Sequence, residues 1–198
     1  MGIFDRFKKK GADSDTPATA PTLPTPVAAP KLSAPVLIEI ARLISSGDEA
    51  VLRDVSTCAE HPQDWFEAHQ DRYEERGVDS AGDLDLVQWL GLVDILEEHG
   101  WVCERDWKDE LEDFLFFLQN LKGYQTLHLT LDENLFEPDQ DIPAWCNILA
   151  EKWKEQGARV AAIGIDSDSY VLFPILIAQF PALQKLAEEI GHCIDLVE

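Results

Sequence analysis

Basic residues are scarce in this chain, and that scarcity excludes several classes of partner. The 198 residues contain 16 Lys and Arg against 38 Asp and Glu, so the formal net charge is −22. From residue 35 onward we count 35 acids and 11 bases, and 35 − 11 leaves −24. Such a surface repels nucleic acid and anionic lipid, and it attracts cationic partners over about a Debye length. The composition therefore predicts the sign of a partner but no reaction chemistry.

Long apolar runs and cysteine motifs are also missing from the sequence. No apolar run approaches the ~18 residues of a membrane span, and no apolar stretch of the kind found in signal peptides follows the first residues. The cysteines are far apart in sequence, so the Cys-x-x-Cys motifs of zinc and thioredoxin sites do not occur: Cys58, Cys103, Cys146 and Cys193. We expect a cytoplasmic protein with reduced, mostly buried thiols and neither cofactor nor metal.

The first 34 residues differ in composition from the rest. Pro, Ala and Thr dominate residues 11–34, which predicts an extended, disordered spacer. The spacer tethers Met1–Lys10, a basic leader in which three apolar side chains precede the lysines at helical spacing: Ile3, Phe4 and Phe7. Ten residues are too few for a stable free helix, so we expect disorder. A weak membrane-surface or partner contact is the alternative, and a single acidic domain should occupy residues 35–198.

Apolar periodicity predicts that helices dominate the first half of this domain. We place them at residues 35–45, 48–59, 62–77, 82–99 and 106–121, the last with Asp106 as its N-cap. The segment 82–99 is apolar around more than half of its circumference, so it should be buried on several sides. Asp94 lies on its polar stripe, which predicts partial exposure rather than a buried general base.

Shorter apolar and alternating segments predict strands in the second half. They lie at residues 101–105, 126–131, 159–166, 170–173 and 193–197, with helices at 141–157 and 174–191. Ser167-Asp168-Ser169 separates two of the strands and is typical of a hairpin turn. The expected fold class is α+β, with a helical first half packed on a mostly antiparallel sheet of about four or five strands from the second half.

Two segments resemble a known family. The first is the run Trp89-Leu-Gly-Leu-Val-Asp-Ile-Leu-Glu-Glu-His-Gly100, continuing Val102-Cys-Glu-Arg-Asp-Trp-Lys-Asp-Glu-Leu-Glu-Asp-Phe114, which looks like a bacterial domain family of unknown function. The second, Ile165-Asp-Ser-Asp-Ser-Tyr-Val-Leu172, is similar to the C-terminal hairpin of that family. The likeness covers about residues 60–198. It implies a cytoplasmic bacterial protein and transfers no activity and no functional residue.

Carboxylates are concentrated between residues 104 and 113, and they are the candidate site. With the neighbouring Glu97 and Glu98, these side chains would form a binding face for a basic protein: Glu104, Asp106, Asp109, Glu110, Glu112 and Asp113. The alternative is a solvated helix start. The six tryptophans are expected in the core, with one or two as anchors at an interface.

Signals for other chemistry are weaker. Asp166 and Asp168 follow an apolar strand, as in the haloacid-dehalogenase phosphotransferases, where the first Asp attacks phosphorus. Too few residues follow to build that parallel fold, so turn formation is the preferred interpretation. The acidic loop 132–141 departs from the EF-hand pattern, and Gly100 separates His99 from Cys103, so neither predicts a metal site.

These observations favour a non-enzymatic protein that binds another macromolecule through a basic surface of that partner. An inhibitor or immunity-type role against a basic partner fits the small size and the acidity. A carboxylate-based hydrolase or phosphotransferase using Asp166 and Asp168 is one alternative. A tethered adaptor that uses the basic leader is the other.

Overall fold

A four-stranded antiparallel sheet forms the middle layer of residues 33–198, the part of the chain that the computed structural model describes. Its strands are β1 (Cys103–Asp106), β2 (Ala158–Ile163), β3 (Ser169–Leu176) and β4 (Ile194–Leu196), in the order β1-β3-β2-β4. The predicted leader and most of the predicted spacer, residues 1–32, lie outside the described residues.

Helices cover both faces of the sheet. In chain order they are α1 (Ala34–Ile44), α2 (Glu49–Glu60), α3 (Pro62–Ala68), α4 (Gln70–Glu75), α5 (Leu84–Glu98), α6 (Leu111–Asn120), α7 (Lys122–Thr126), α8 (Ile142–Lys152) and α9 (Phe180–Glu189). A 3-10 turn lies at Glu133–Leu135. The α+β class is confirmed, with the first-half helices packed on a sheet from the second half.

The period of two along β3 divides the core into two clusters. Val171, Phe173 and Ile175 face the cluster built with α1, α2, α5 and α9. Leu172 faces the other cluster, which includes side chains of α6 and α8. Because successive strand side chains point to opposite faces, one apolar strand supplies both layers. Because α6 and α8 both pack on this second face, α6 and the loop before α8 lie on the same side of the sheet.

Helix α5 is buried as the sequence predicts. Every residue from Val87 to Leu96 is buried. Gly91 is required by this packing, because a Cβ there would come within 2.6 Å of the Cys58 Sγ atom. Trp89 Nε1 donates a hydrogen bond of 2.8 Å to the carbonyl oxygen of Gly164, and Gly100, at φ 71°, ends the helical region. The helix therefore fixes the position of β1, which follows it directly.

Two predicted elements are wrong. The helix expected at 62–77 is interrupted at His69, whose ring stacks on Trp65 and lies 2.8 Å from the Trp65 carbonyl oxygen. The strand expected at 126–131 is instead the end of α7 and an irregular segment, in which His128 has a φ of 51°. Leu129 is nevertheless buried. The alternation therefore indicated which side chains face the core, and it did not indicate pairing with another strand.

Two further boundaries shift. Helix α6 begins at Leu111, and Asp106 does not cap it. Pro174, expected to open a helix, lies within β3 opposite Val160. A proline is tolerated there because the pairing of β1 with β3 ends at Leu172. On that side of β3, Pro174 has no neighbouring strand that would need a hydrogen bond from its backbone nitrogen.

Candidate binding groove

The loop between β1 and α6 forms one wall of a large groove in the described part of the chain. Asp106 starts a tight turn in which its Oδ1 accepts from the Lys108 N–H at 2.8 Å and its carbonyl oxygen accepts from the Asp109 N–H at 2.9 Å. This local bonding uses the Asp side chain as a turn former. The turn delays the helix and leaves Trp107 and Glu110 exposed.

Arg105 holds this loop against α6. Its guanidinium donates to both carboxylate oxygens of Asp109, at 2.7 and 2.6 Å, and lies over the ring of Phe117 at 4.0 Å. The hydrogen bonds that Arg105 donates to Asp109 raise the pKa of Arg105 further above its usual range. A two-point pair of this kind fixes geometry as well as charge. Asp109 is therefore a structural residue of the wall.

The other wall is the segment between α7 and α8. Asp132 accepts from the backbone N–H of Asn134 and caps the 3-10 turn. Phe136 is buried in the second core cluster, and Trp145 Nε1 donates to the carbonyl oxygen of Glu137 at 3.0 Å. Asp141 caps α8, as predicted, by accepting from Ala144. These contacts hold an acidic segment in place opposite α6.

The space between the two walls has a volume of about 1340 Å³, and we call this space the groove. Residues 107–112 with Leu115, Phe116, Gln119 and Asn120 line one side, and Glu133, Phe136 and residues 138–141 line the other. Two aromatic rings on the first wall are solvent-exposed, Trp107 at 51% and Phe116 at 60%. Exposed rings of this size are characteristic of binding surfaces.

The charge of the groove is strongly negative. Besides Asp141, which caps α8, four exposed lining carboxylates form no ion pair with any described cation: Glu110, Glu112, Glu133 and Asp139. Within the lining, Lys108 is the one basic side chain, and its Nζ lies 4.5 Å from the centre of the Trp107 ring. The combination of apolar rings and unpaired carboxylates suits a partner that carries both cations and apolar side chains.

The structure divides the predicted binding residues into two sets. Glu104 and Asp109 are partly buried and paired with arginines. The other side chains are exposed, and they include both lining and neighbouring positions: Asp106, Glu110, Glu112 and Asp113. Glu110 and Glu112 line the groove directly. Whether any of these residues binds a partner stays a prediction.

Glu104 belongs instead to a second acidic region around the end of α5. Arg76 Nη2 lies 2.8 Å from Asp94 Oδ1 and 2.9 Å from Glu104 Oε2. The Glu104 N–H donates to Glu97 Oε1 at 3.0 Å. These residues, with Arg72, Glu75 and Glu98, line a smaller pocket of about 410 Å³. Both of its arginines are in ion pairs with lining carboxylates, Arg72 with Glu98 and Arg76 with Asp94 and Glu104.

The expectation that Asp94 is partly exposed is wrong. Asp94 is only 7% exposed. Burial raises its pKa, and Arg76 opposes that rise. The sequence placed Asp94 on a polar stripe, but Arg76, the residue that follows α4, reaches Asp94 and pairs with it. The buried carboxylate is a structural anchor with its oxygen already committed to a guanidinium.

The pair Asp166 and Asp168, which resembles a phosphotransferase motif in sequence, does not have the surroundings of one in the structure. Asp166 and Asp168 lie on the short loop of the β2–β3 hairpin, where Asp166 has a φ of 53° and the Ser169 N–H donates to Ser167 Oγ. An antiparallel hairpin is not the parallel strand end that a phosphotransferase of this kind uses. The hairpin therefore gives the hydrolase alternative no structural support, and we do not propose it.

The thiols and His99 have structural surroundings. Burial raises the pKa of Cys58 and of Cys103 to about 12, which disfavours the reactive thiolate. Cys146 is also buried and Cys193 is exposed, and all are free thiols. His99 lies 2.8 Å from Asp54 Oδ2 across the α2–α5 contact. Among residues 33–198, no group of three or more His, Cys, Asp and Glu side chains is arranged to hold a metal ion.

Sequence reasoning missed the second wall and the exposed aromatics. Glu133 and Asp139 were assigned to a solvated loop, and their closeness to α6 depends on how the helices pack on the sheet. The sequence predicts that most tryptophans lie in the core and that one or two are interface anchors, but it does not single out Trp107 as an anchor. Its position between Asp106 and Lys108, inside a run of charges, was the available signal for exposure.

Comparisons with known proteins place the chain in a family without supplying an activity. None of the helices in the described range is both long and apolar enough to cross a bilayer. Neither the curated proteins nor the solved structures contain a significant match to the sequence. A family model does match residues 36–197, and this match includes α1 and α2, which the resemblance in sequence had left out. The chain therefore belongs to the family described as a domain of unknown function, DUF6630.

Proposed function

We propose that this protein is a non-enzymatic binding protein whose groove takes up a basic segment of another protein. The observation that carries the proposal is the pairing of exposed rings, Trp107 and Phe116, with unpaired carboxylates on both walls of one groove. A lysine- or arginine-rich segment with one or two large apolar side chains matches both features. The same charge would repel nucleic acid.

The two features have different physical roles. Carboxylates at the rim raise the association rate of a cationic partner and are screened by salt. The rings supply the apolar area that is removed from water in the complex, which mainly slows dissociation. Small size and a net charge of −22 further favour an inhibitor or immunity-type role for a basic partner in the cytoplasm.

The test uses a defined probe rather than an unknown partner. The probe is a fluorescent alanine-based peptide with four lysines and two phenylalanines, and the matched control peptide carries glutamates in place of the lysines. We expect the lysine probe to bind the full chain with an association rate that falls steeply as salt rises, since encounter is electrostatically steered. The glutamate peptide should not bind.

Variants locate the binding surface. The groove-reversed variant (Glu110→Lys, Glu112→Lys, Asp113→Lys) should lower the association rate, and Trp107→Ala should raise the dissociation rate. The control-reversed variant changes the net charge equally at exposed sites elsewhere: Glu67→Lys, Glu155→Lys and Glu188→Lys. If both reversed variants slow association equally, net charge alone attracts the probe and the groove is not the site.

A further inference from the structure

The chain itself contains a segment with the chemistry that the groove selects. Residues 1–10 carry Arg6, Lys8, Lys9 and Lys10 against the single acid Asp5. Their apolar side chains include two phenylalanines and an isoleucine. This is the one strongly basic stretch in the sequence, and the rest of the chain carries a net negative charge. It combines cations with large apolar side chains, as the proposed partner must.

The groove complements this leader in both respects. Glu110 and Glu112 on one wall face Glu133 and Asp139 on the other, and none is paired with a described cation. Trp107 and Phe116 expose the apolar surface of their rings to solvent. Phenylalanines can pack on these rings while lysines and the arginine reach the rim carboxylates.

The spacer is long enough to deliver the leader to any point of the domain. Residues 11–32 separate Lys10 from Ser33, and these 22 residues span up to about 70 Å at ~3.1 Å per residue in an extended conformation. A domain of 166 residues has a radius of gyration of about 15 Å and is therefore about 40 Å across. A tether of this length would hold a ligand near the domain at an effective concentration of about 1 mM.

We propose that residues 1–10 dock reversibly in the groove of their own chain and compete there with the basic partner. A leader with a dissociation constant of about 100 μM, present at about 1 mM effective concentration, would occupy the groove about nine-tenths of the time. The apparent affinity for an outside partner would then fall about tenfold. The expected disorder of the leader describes its undocked state. Since the competition builds on the function proposed above, the test separates the two.

The experiment follows the indole N–H signal of Trp107 by NMR in the full chain, with Trp107→Phe assigning the peak. The leader-reversed variant (Lys8→Glu, Lys9→Glu, Lys10→Glu) should shift this signal relative to the wild type. The matched variant Lys8→Arg, Lys9→Arg, Lys10→Arg keeps the charge and should leave it in place. Rising salt should move the wild-type signal toward that of the leader-reversed variant, while the indole signals of the buried Trp89 and Trp153 stay fixed.

Other occupants give different outcomes. Docking within one chain is independent of protein concentration, so a Trp107 shift that grows with concentration would mean docking onto a second copy and would overturn the proposal. Vesicles containing anionic phosphatidylglycerol test the membrane alternative. Lysine-dependent vesicle binding together with an unresponsive Trp107 would assign the leader to the membrane surface and likewise overturn it.

Failure of the two proposals looks different. The lysine probe should bind the leader-reversed variant about tenfold more tightly than the wild type, because the competitor is removed. Equal binding to both, with Trp107 unresponsive, would refute leader docking and leave the proposed function standing. A responsive Trp107 with no probe binding to the leader-reversed variant would support docking and refute the proposed function.

Discussion

The groove and the end of α5 are both rich in carboxylates, and they use them in opposite ways. Around α5 five carboxylates have donors, and we call them the paired acidic region: Asp48 with Trp101 and Lys122, Asp54 with His99, Asp94 and Glu104 with Arg76, and Glu97 with a backbone N–H. In the groove, Glu110, Glu112, Glu133 and Asp139 have no described cation within ion-pair distance. One region holds its carboxylates in contacts within the fold, and the other exposes the charge that we propose for a basic partner.

The two regions differ because one contains hydrogen-bond and ion-pair donors for its carboxylates, and not because their densities of carboxylates differ. Most described arginines and lysines are already in ion pairs, and Arg76, Arg105 and Lys122 are bound to specific acids. With 35 acids and 11 bases beyond residue 34, some carboxylates must remain unpaired. They collect where exposed aromatic rings also lie. Stability measurements on variants of both regions test this contrast.

The largest effect is expected from Arg76→Ala in the paired acidic region. The change leaves Asp94 buried without a cation, beside Glu104, and should lower the free energy of unfolding by about 3–5 kcal/mol. Urea unfolding at pH 7 measures it. The double variant Arg76→Met with Asp94→Leu should recover most of the loss because no charge remains buried. A cost below about 0.5 kcal/mol for Arg76→Ala would show that the pairing contributes nothing.

Leu90→Ala tests the apolar layer beneath the same region. Leu90 is buried with Tyr73 and Val87, so removing its side chain should cost about 2–5 kcal/mol from lost burial and a residual cavity. Denaturant melts of Leu90→Ala and Leu84→Ala provide the comparison, since Leu84 is partly exposed and should matter less. A cost below about 0.5 kcal/mol at Leu90 would contradict the placement of α5 in the core.

Asp48→Asn should produce a smaller, pH-dependent effect. Hydrogen bonds from Trp101 and Lys122 hold the pKa of Asp48 well below its usual 3.8. A lowered carboxylate pKa stabilises the folded state above the unfolded pKa and loses that stabilisation as the pH falls through the folded one. We expect a cost of about 1 kcal/mol at pH 7 that shrinks below pH 3.8. Unfolding at pH 7, 4 and 3 measures it, and a difference that is constant with pH would contradict the pairing.

The groove-reversed variant should show the smallest effect on stability. Glu110, Glu112 and Asp113 are exposed, so their reversal to lysine should change the free energy of unfolding by less than about 0.5 kcal/mol. Thermal melts beside the control-reversed variant measure this. A large loss would mean that these carboxylates support the fold like those around α5, and the contrast between the regions would disappear.

Local sequence determined the elements whose signals lie within a few residues. The apolar circumference of α5, the cap at Asp141 and the β2–β3 hairpin were all predictable, because periodicity, capping and turn chemistry act over short distances. The same local signals misplaced residues 126–131. There the alternation of leucines reflects burial in the second core cluster, while pairing into a strand requires a partner that only the assembled sheet can provide.

The amino-acid sequence is also sufficient to show that the domain is acidic and that carboxylates concentrate near residues 104–113. Tertiary structure decided which of them are available. Arg76 reaches Asp94 across 18 positions in the chain, and the packing of α6 and α8 on one face of the sheet brings Glu133 and Asp139 opposite Glu110. The energy of a charge depends on the distance and burial of its partners, and those distances exist only once the helices have packed on the sheet.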